Sequence, residues 1–235
     1  MNIVLLGPPG SGKGTQSQRL QEKYGFRKIA TGDLIRAEIA ADTDLGRQLA
    51  GIIERGAFPE DSVVLYLIGT KIEEASQGVI LDGFPRTQEQ ARHLDSLLHQ
   101  KGQRVDLAIE FMVEQRILAE RIVGRLSCPI CGAVYNDTLA PPQKEGFCDR
   151  CQDAHLSRRS DDVVSTVVER LRVYQEKTAP LVAYYLEQGC LEVVDGMRSM
   201  EKIEAQIEAL ISKHKSVQTE DRGQRTKDSK QGERI

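Results

Sequence analysis

The sequence predicts an α/β fold: a doubly wound parallel sheet carrying one small metal-binding insertion. Three observations lead there. Apolar runs of strand length alternate with helical patterns, the first run enters a glycine-rich loop with a lysine, and the alternation stops once, at a segment with two Cys-x-x-Cys pairs. Strands separated by helices pair in parallel through right-handed crossovers, and ligands collect at the carboxyl edge of such a sheet. A chain of 235 residues with 40% hydrophobic content can bury a core of this kind and still carry insertions.

Asn2-Ile3-Val4-Leu5-Leu6 is the first strand, and Gln16 to Tyr24 the first helix. Between them, Gly7-Pro8-Pro9-Gly10-Ser11-Gly12-Lys13-Gly14-Thr15 has the G-x-x-x-x-G-K spacing of a phosphate-binding loop. Glycines let consecutive N–H groups turn inward onto a polyphosphate, Lys13 adds a point charge, and the helix N-terminus adds a partial one. Gly14 stands where the general pattern has Ser or Thr, so the hydroxyl falls to Thr15. The competing reading, a glycine-rich turn with an incidental lysine, does not account for the strand before it and the helix after it.

Arg27 to Ala30 reads as a short strand, and Thr31-Gly32-Asp33 as a turn and helix cap. Residues 31–59 read as small helices joined at Gly46, Gly51 and Gly56, and Ser62 to Ala75 as a core helix. Gly78 to Gly83 is an apolar strand ending in Asp82. A carboxylate there reaches Mg2+ beside a bound nucleotide, through coordinated water; it is equally suited to capping the Gly83-Phe84-Pro85 turn. Thr87 to Gln100 (helix), Leu107 to Met112 (strand) and Glu114 to Gly124 (helix) continue the alternation. After the insertion, Val163 to Tyr185 is helical with Pro180 bending or ending it, and Leu191 to Gly196 is the last strand. A final helix capped by Ser199 carries Met200, Ile203, Ile207, Leu210 and Ile211 on one face. Residues 215–235 hold only Val217 and Ile235 as sizeable apolar side chains, which predicts a disordered tail.

Between Leu126 and Arg158 the periodicity vanishes. Cys128, Cys131, Cys148 and Cys151 supply four thiolates for tetrahedral zinc, a closed and hence structural site. A redox pair, or iron in place of zinc, is the rival reading. Cys190 reads as a small core residue, and His93, His99, His155 and His214 as surface residues.

Phosphoryl transfer between nucleotides needs aligned substrates and neutralised charge rather than a protein nucleophile. The chain has the arginines for it. Arg36 and Arg86 follow turns after strands, Arg121 and Arg125 precede the insertion, Arg158 and Arg159 follow it, and Arg170 lies on the next helix. Arginines on both flanks of the insertion predict a lid that delivers cations to the phosphates on closing. Asp161 and Asp162 can fix the neighbouring arginines, contact a ribose, hinge the lid or cap a helix.

A net charge of −3 excludes broad electrostatic binding to nucleic acid or anionic membrane. The absence of any apolar run near 20 residues and of a basic, apolar leader predicts a cytoplasmic protein without a membrane partner.

These motifs together resemble adenylate kinases of the long-lid, zinc-containing bacterial type, over residues 1–211. The resemblance is carried by Gly7 to Thr15, Thr31-Gly32-Asp33-Leu34-Ile35-Arg36, Leu81 to Thr87, Arg121 to Arg125, Arg159-Ser160-Asp161-Asp162 and Thr178-Ala179-Pro180-Leu181. It implies a nucleoside monophosphate kinase fold divided into a core (1–29, 60–121, 160–214), an acceptor-binding segment (30–59) and a lid (122–159). The reaction it implies is reversible transfer from Mg-ATP to AMP giving two ADP, by a monomer with Mg2+ and structural Zn2+. Gly10, Ser11, Gly12, Lys13, Gly14, Thr15, Arg121 and Arg125 would then serve the donor. Thr31, Arg36, Gly83, Arg86, Gln90, Arg159 and Arg170 would serve AMP, with Lys13, Arg86, Arg121, Arg125, Arg159 and Arg170 around the transferred group. Two departures stand out: Ala57-Phe58-Pro59-Glu60 where many relatives have Leu-Val-Pro, and Ser165 where an acidic residue is common. A kinase for UMP or CMP, one using GTP as donor, and an ATPase carrying a nucleic-acid- or protein-binding zinc ribbon are the alternatives. The last is disfavoured because the arginines flank the ribbon and its face lacks interleaved aromatic and basic residues.

Overall fold

The computed structural model describes residues 1–75, 78–152 and 154–231, with side chains to Ser216. Five parallel strands form the main sheet in the order β2-β3-β1-β4-β7: β1 (Ile3–Leu6), β2 (Arg27–Ala30), β3 (Val79–Asp82), β4 (Leu107–Met112) and β7 (Leu191–Asp195). Strand β1 is central and buried on both faces, which is why its sequence is an unbroken apolar run. Side chains alternate across it. Val4 and Leu6 face one cluster, with Leu81, Ala108 and the helices α4 (Asp61–Glu73), α5 (Gln88–Gln100) and α8 (Leu181–Glu187). Ile3 and Leu5 face the other, with Ile80, Ile109 and the helices α1 (Lys13–Tyr24) and α9 (Met200–Gln231). Each such buried aliphatic side chain contributes about 1.5–3 kcal/mol.

The remaining elements are α2 (Thr31–Ala40), α3 (Asp44–Glu54), α6 (Gln115–Val123), the antiparallel pair β5 (Arg125–Ser127) and β6 (Val134–Asn136), and α7 (Val164–Val173), followed by a π-helical turn at Tyr174–Thr178. No helix among the described residues is long and apolar enough to cross a membrane.

The glycines of the 31–59 segment are placed differently from the sequence expectation. Gly46 and Gly51 lie inside α3 rather than at joints. A Cβ on Gly46 would sit 2.1 Å from the Glu38 carbonyl oxygen, so Gly46 allows α2 and α3 to touch. Thr43 caps α3, its hydroxyl accepting from the Gly46 N–H at 2.8 Å. The helical stretch read from Val163 to Tyr185 likewise divides into α7, the π-helical turn and α8, with Pro180 as the N-cap of α8.

The expected disordered tail is a second difference. Helix α9 runs on to Gln231, past Ile211, its last core residue among those with described side chains. Between Met200 and Gln231 there is no proline, and the many Glu, Gln, Lys and Arg residues have good helix propensity, which supports a helix over this stretch. Residues 232–235 lie outside the described residues.

Candidate functional site

The site is built at the carboxyl edge of the sheet. The phosphate loop leaves β1 after Leu6, Thr31 follows β2 directly, and Asp82 ends β3; register pairs Leu5 and Ala30 with Asp82. Gly12, at φ 96°, is the N-cap of α1, a left-handed conformation that glycine adopts without strain. The N-terminal N–H groups of the helix thereby open toward the loop. A Cβ on Gly14 would lie 3.2 Å from Asp82 Oδ2, so the first turn of the helix runs close to the carboxylate, and a side chain there would require Asp82 to shift slightly.

Lys13 Nζ donates to Gly7 O (2.6 Å), Pro8 O (2.9 Å) and Ser11 Oγ (3.1 Å), which holds the ammonium over the loop. Burial draws its pKa down to about 8, with Asp82 opposing and Arg86, Arg170 and Arg125 reinforcing. Arg86 is pulled to about 10, by burial first and then by Arg170. Arg159 is also pulled to about 10, by burial and by Arg125 and Arg36. Burial also lowers Arg170. Cations that depress one another in this way favour a polyanion among them.

Two buried carboxylates organise the arginines. Asp162 receives Arg125 in a bidentate pair, with Nε at 2.7 Å, and Arg170 Nη1 at 3.3 Å; Asp161 receives Arg170 Nη1 at 2.8 Å. Sequence reasoning allowed Asp161 and Asp162 to fix the adjacent arginine pair, but their partners are Arg125 and Arg170. Of the adjacent pair, Arg159 turns inward to 4.0 Å from Asp33, while Arg158 binds the Val123 carbonyl and Asp137. Arg36 also pairs with Asp33.

Other predicted residues take definite places. Thr31 Oγ1 donates to the Gly83 carbonyl at 2.7 Å. Gln90 is buried, its Oε1 accepting from the Arg86 N–H at 2.8 Å and its Nε2 donating to Asp61 at 2.6 Å, so it braces the turn that carries Arg86. Arg121 donates to the Gly196 carbonyl at 3.1 Å rather than joining the Asp161–Asp162 cluster. Gly10 packs against α6, and Thr15 is half-buried in the first turn of α1. Sequence reasoning missed Ser17, whose Oγ lies 3.5 Å from Asp82 Oδ2; its position four residues after Lys13, one helical turn on, was the available signal. Asp82 Oδ2 and Ser17 Oγ thus place a carboxylate and a hydroxyl oxygen together beneath the first turns of α1.

The insertion folds as two knuckles. Cys128 N–H bonds to Ala133 O and Cys148 N–H to Ala154 O, both at 2.9 Å, and the residue after each second cysteine has positive φ: Gly132 at 71° and Gln152 at 46°. The four sulfurs lie within 4.8 Å of one another, and Cys131 and Cys148 are 3.6 Å apart. Four ligands at the Zn–S distance of about 2.3 Å stand about 3.8 Å apart, so the set fits zinc. Burial opposes ionisation of Cys148, but the Tyr135 hydroxyl and the N–H groups of Cys151 and Arg150 hold its thiol below the usual range. Hydrogen bonding to neighbouring thiols raises Cys151. Gln18 donates to the Cys131 carbonyl at 3.1 Å and Arg150 pairs with Glu22, so the knuckles rest on α1 beside the phosphate loop.

Because the Lys13 pKa near 8 is below its unfolded value of 10.5, the unfolded chain holds more protons between those values. The destabilising effect of the buried charge is thus fully present below pH 8 and fades as pH rises toward 10.5. A bound polyphosphate raises the Lys13 pKa again. ATP binding at pH 9 is therefore expected to take up close to one proton, and at pH 7 almost none. Calorimetry in buffers of different ionisation enthalpy measures this; zero uptake at pH 9 contradicts it.

Comparison with known proteins agrees with this geometry. A model of the adenylate kinase family matches residues 5–190. An adenylate kinase of Rhizobium rhizogenes is 45% identical over 215 residues, covering 91% of this chain and all of that protein. One of Paramagnetospirillum magneticum is 42% identical over 217 residues, 92% of this chain and all of that protein. A third, of Magnetococcus marinus, is 44% identical over 205 residues, 86% of this chain and 96% of that protein. Near-complete coverage in both directions spans the phosphate loop, the arginine cluster and the cysteine insertion alike, and on this ground the chain belongs to the adenylate kinase family.

Proposed function

We infer that this chain catalyses reversible phosphoryl transfer from Mg-ATP to AMP, giving two ADP. The observation that carries the reading is the mutual influence of Lys13, Arg86, Arg125 and Arg170 at one sheet edge, with the phosphate loop on one side and the turns after β2 and β3 on the other. Two phosphate chains can meet there. An AMP phosphate oxygen attacks the terminal phosphorus of ATP in line, and the bond from that phosphorus to the bridging oxygen of the leaving ADP breaks. No protein nucleophile is required.

Lys13 and the N–H groups of Gly10 to Thr15 hold the donor phosphates, Arg36 and Arg86 hold the acceptor phosphate, and Arg125, Arg159 and Arg170 surround the transferred group. Arg121 lies on the donor side, and Thr31, Gly83 and Gln90 shape the acceptor side. Asp82 would hold, through water, the Mg2+ that accompanies ATP, and that ion would supply neutralisation of phosphate charge. Cys128, Cys131, Cys148 and Cys151 hold structural Zn2+. Residues 30–59 act as the acceptor segment and 122–159 as the lid, closing on the core formed by 1–29, 60–121 and 160–214 to exclude water. The protein works as a cytoplasmic monomer, without a nucleic-acid or membrane partner, and serves adenine nucleotide homeostasis.

A coupled assay with AMP, CMP, UMP and GMP offered separately tests this. ADP is expected only when ATP and AMP are both present. Phosphate release from ATP without AMP would instead favour the ATPase reading, and faster turnover with CMP or UMP would favour a pyrimidine acceptor.

A further inference from the structure

Arg86 is held differently from its neighbours. Arg36, Arg125, Arg159 and Arg170 each have a carboxylate within 4.0 Å. Among the described residues, Arg86 makes no such ion pair. Its Nε donates to the Gly83 carbonyl at 2.8 Å, and its guanidinium carbon stands 4.5 Å from the centre of the Phe58 ring. The Phe58 loop is itself fixed. Thr166 Oγ1 donates to the Glu54 carbonyl at 3.0 Å, Pro59 is buried, and a Cβ on Gly56 would lie 3.0 Å from the Thr166 carbonyl oxygen and 3.1 Å from Arg170 Cγ.

A carboxylate would also orient Arg86, but it would occupy the in-plane N–H donors that a phosphate needs. An aromatic face attracts the cation through its quadrupole and uses none of those donors. We propose that Phe58 is a positioning residue for the acceptor phosphate, its ring face holding the Arg86 guanidinium while leaving both terminal nitrogens free for phosphate oxygens. The 57–60 stretch is where the sequence departs from the Leu-Val-Pro of many relatives, so this chain uses an aromatic ring at that place.

The inference rests on Arg86 gripping the acceptor phosphate, and the two ideas fail separately. If the wild-type chain forms no ADP from ATP and AMP, the functional reading fails. With an active wild type, the test is of Phe58 itself. Phe58→Leu is expected to raise the KM for AMP about fivefold to tenfold, with the KM for ATP and kcat within about twofold. Mono-, di- and trifluorinated phenylalanine at position 58 keep nearly the same shape but progressively weaken the ring's attraction for a cation. Along that series the KM for AMP is expected to climb stepwise. An unchanged KM for AMP in Phe58→Leu overturns the proposal. So does a fluorinated series that stays at the wild-type value while Phe58→Leu is impaired, because packing alone would then explain the residue.

Discussion

Lys13→Ala lowers kcat by about a thousandfold or more, with the melting temperature unchanged or slightly raised. The two halves of this expectation come from the same geometry. Each Lys13 bond goes to the phosphate loop, to Gly7 O, Pro8 O or Ser11 Oγ, and its side chain belongs to neither of the two large core clusters. Its charge is unfavourably buried, as the lowered pKa records, so removing it relieves the fold. In the transfer step, by contrast, negative charge spreads over the migrating group, and an oriented ammonium in a site closed to water is worth far more than in solution. Steady-state rates with saturating ATP and AMP, together with thermal unfolding, measure both halves. Retention of more than about a tenth of the wild-type kcat would remove Lys13 from the donor site.

The parts of the fold that were legible in the sequence are those fixed by short-range rules. Strand β1 declared itself as an apolar run because both of its faces are buried, and the phosphate loop because its spacing serves one geometry. The order of strands and helices implied the parallel sheet, and its carboxyl edge then put Asp82 at the same edge as the loop, where register pairs it with Leu5. Long-range contacts were less legible. Gly46 looked like a joint because the sequence does not record that α2 passes within 2.1 Å of where its Cβ would be. Asp161 and Asp162 were associated with the arginines next to them in sequence. Their actual partners, Arg125 and Arg170, come from either side of them along the chain and meet them only in the folded protein. Phe58 was visible as a departure but not as a ligand for a cation, since its partner lies 28 positions later, at Arg86. Helix α9 outran its expectation because the stretch lacks proline and is rich in good helix formers.

Cys128→Ser is expected to take the bound metal from about one per chain to near zero and to lower the melting temperature by about 5–15 °C, leaving the core sheet intact. The reason is the poverty of the insertion's own core. Its buried apolar cluster consists of Cys128, Ala133, Cys148 and Ala154, with Tyr135 and Leu156 packed at its margin. Without a large aliphatic side chain at its centre, apolar burial gives a segment of this length little stability, and the metal must supply the rest. The loss does not stop at the knuckles. Gln18 reaches the Cys131 carbonyl and Arg150 reaches Glu22, so an unfolded insertion loses its seat on α1, while Arg125 and Arg159, at its two ends, lose a fixed framework. The kinetic consequence should therefore be selective. Because the acceptor turn is built from Gly83, Arg86 and Gln90 outside the insertion, the KM for AMP should move less than kcat. Metal analysis, thermal unfolding and steady-state kinetics on one preparation measure all three effects. Metal content unchanged in Cys128→Ser would refute the four-thiolate site. A lost metal with unchanged kcat would instead show that the knuckles brace the fold without positioning the arginines.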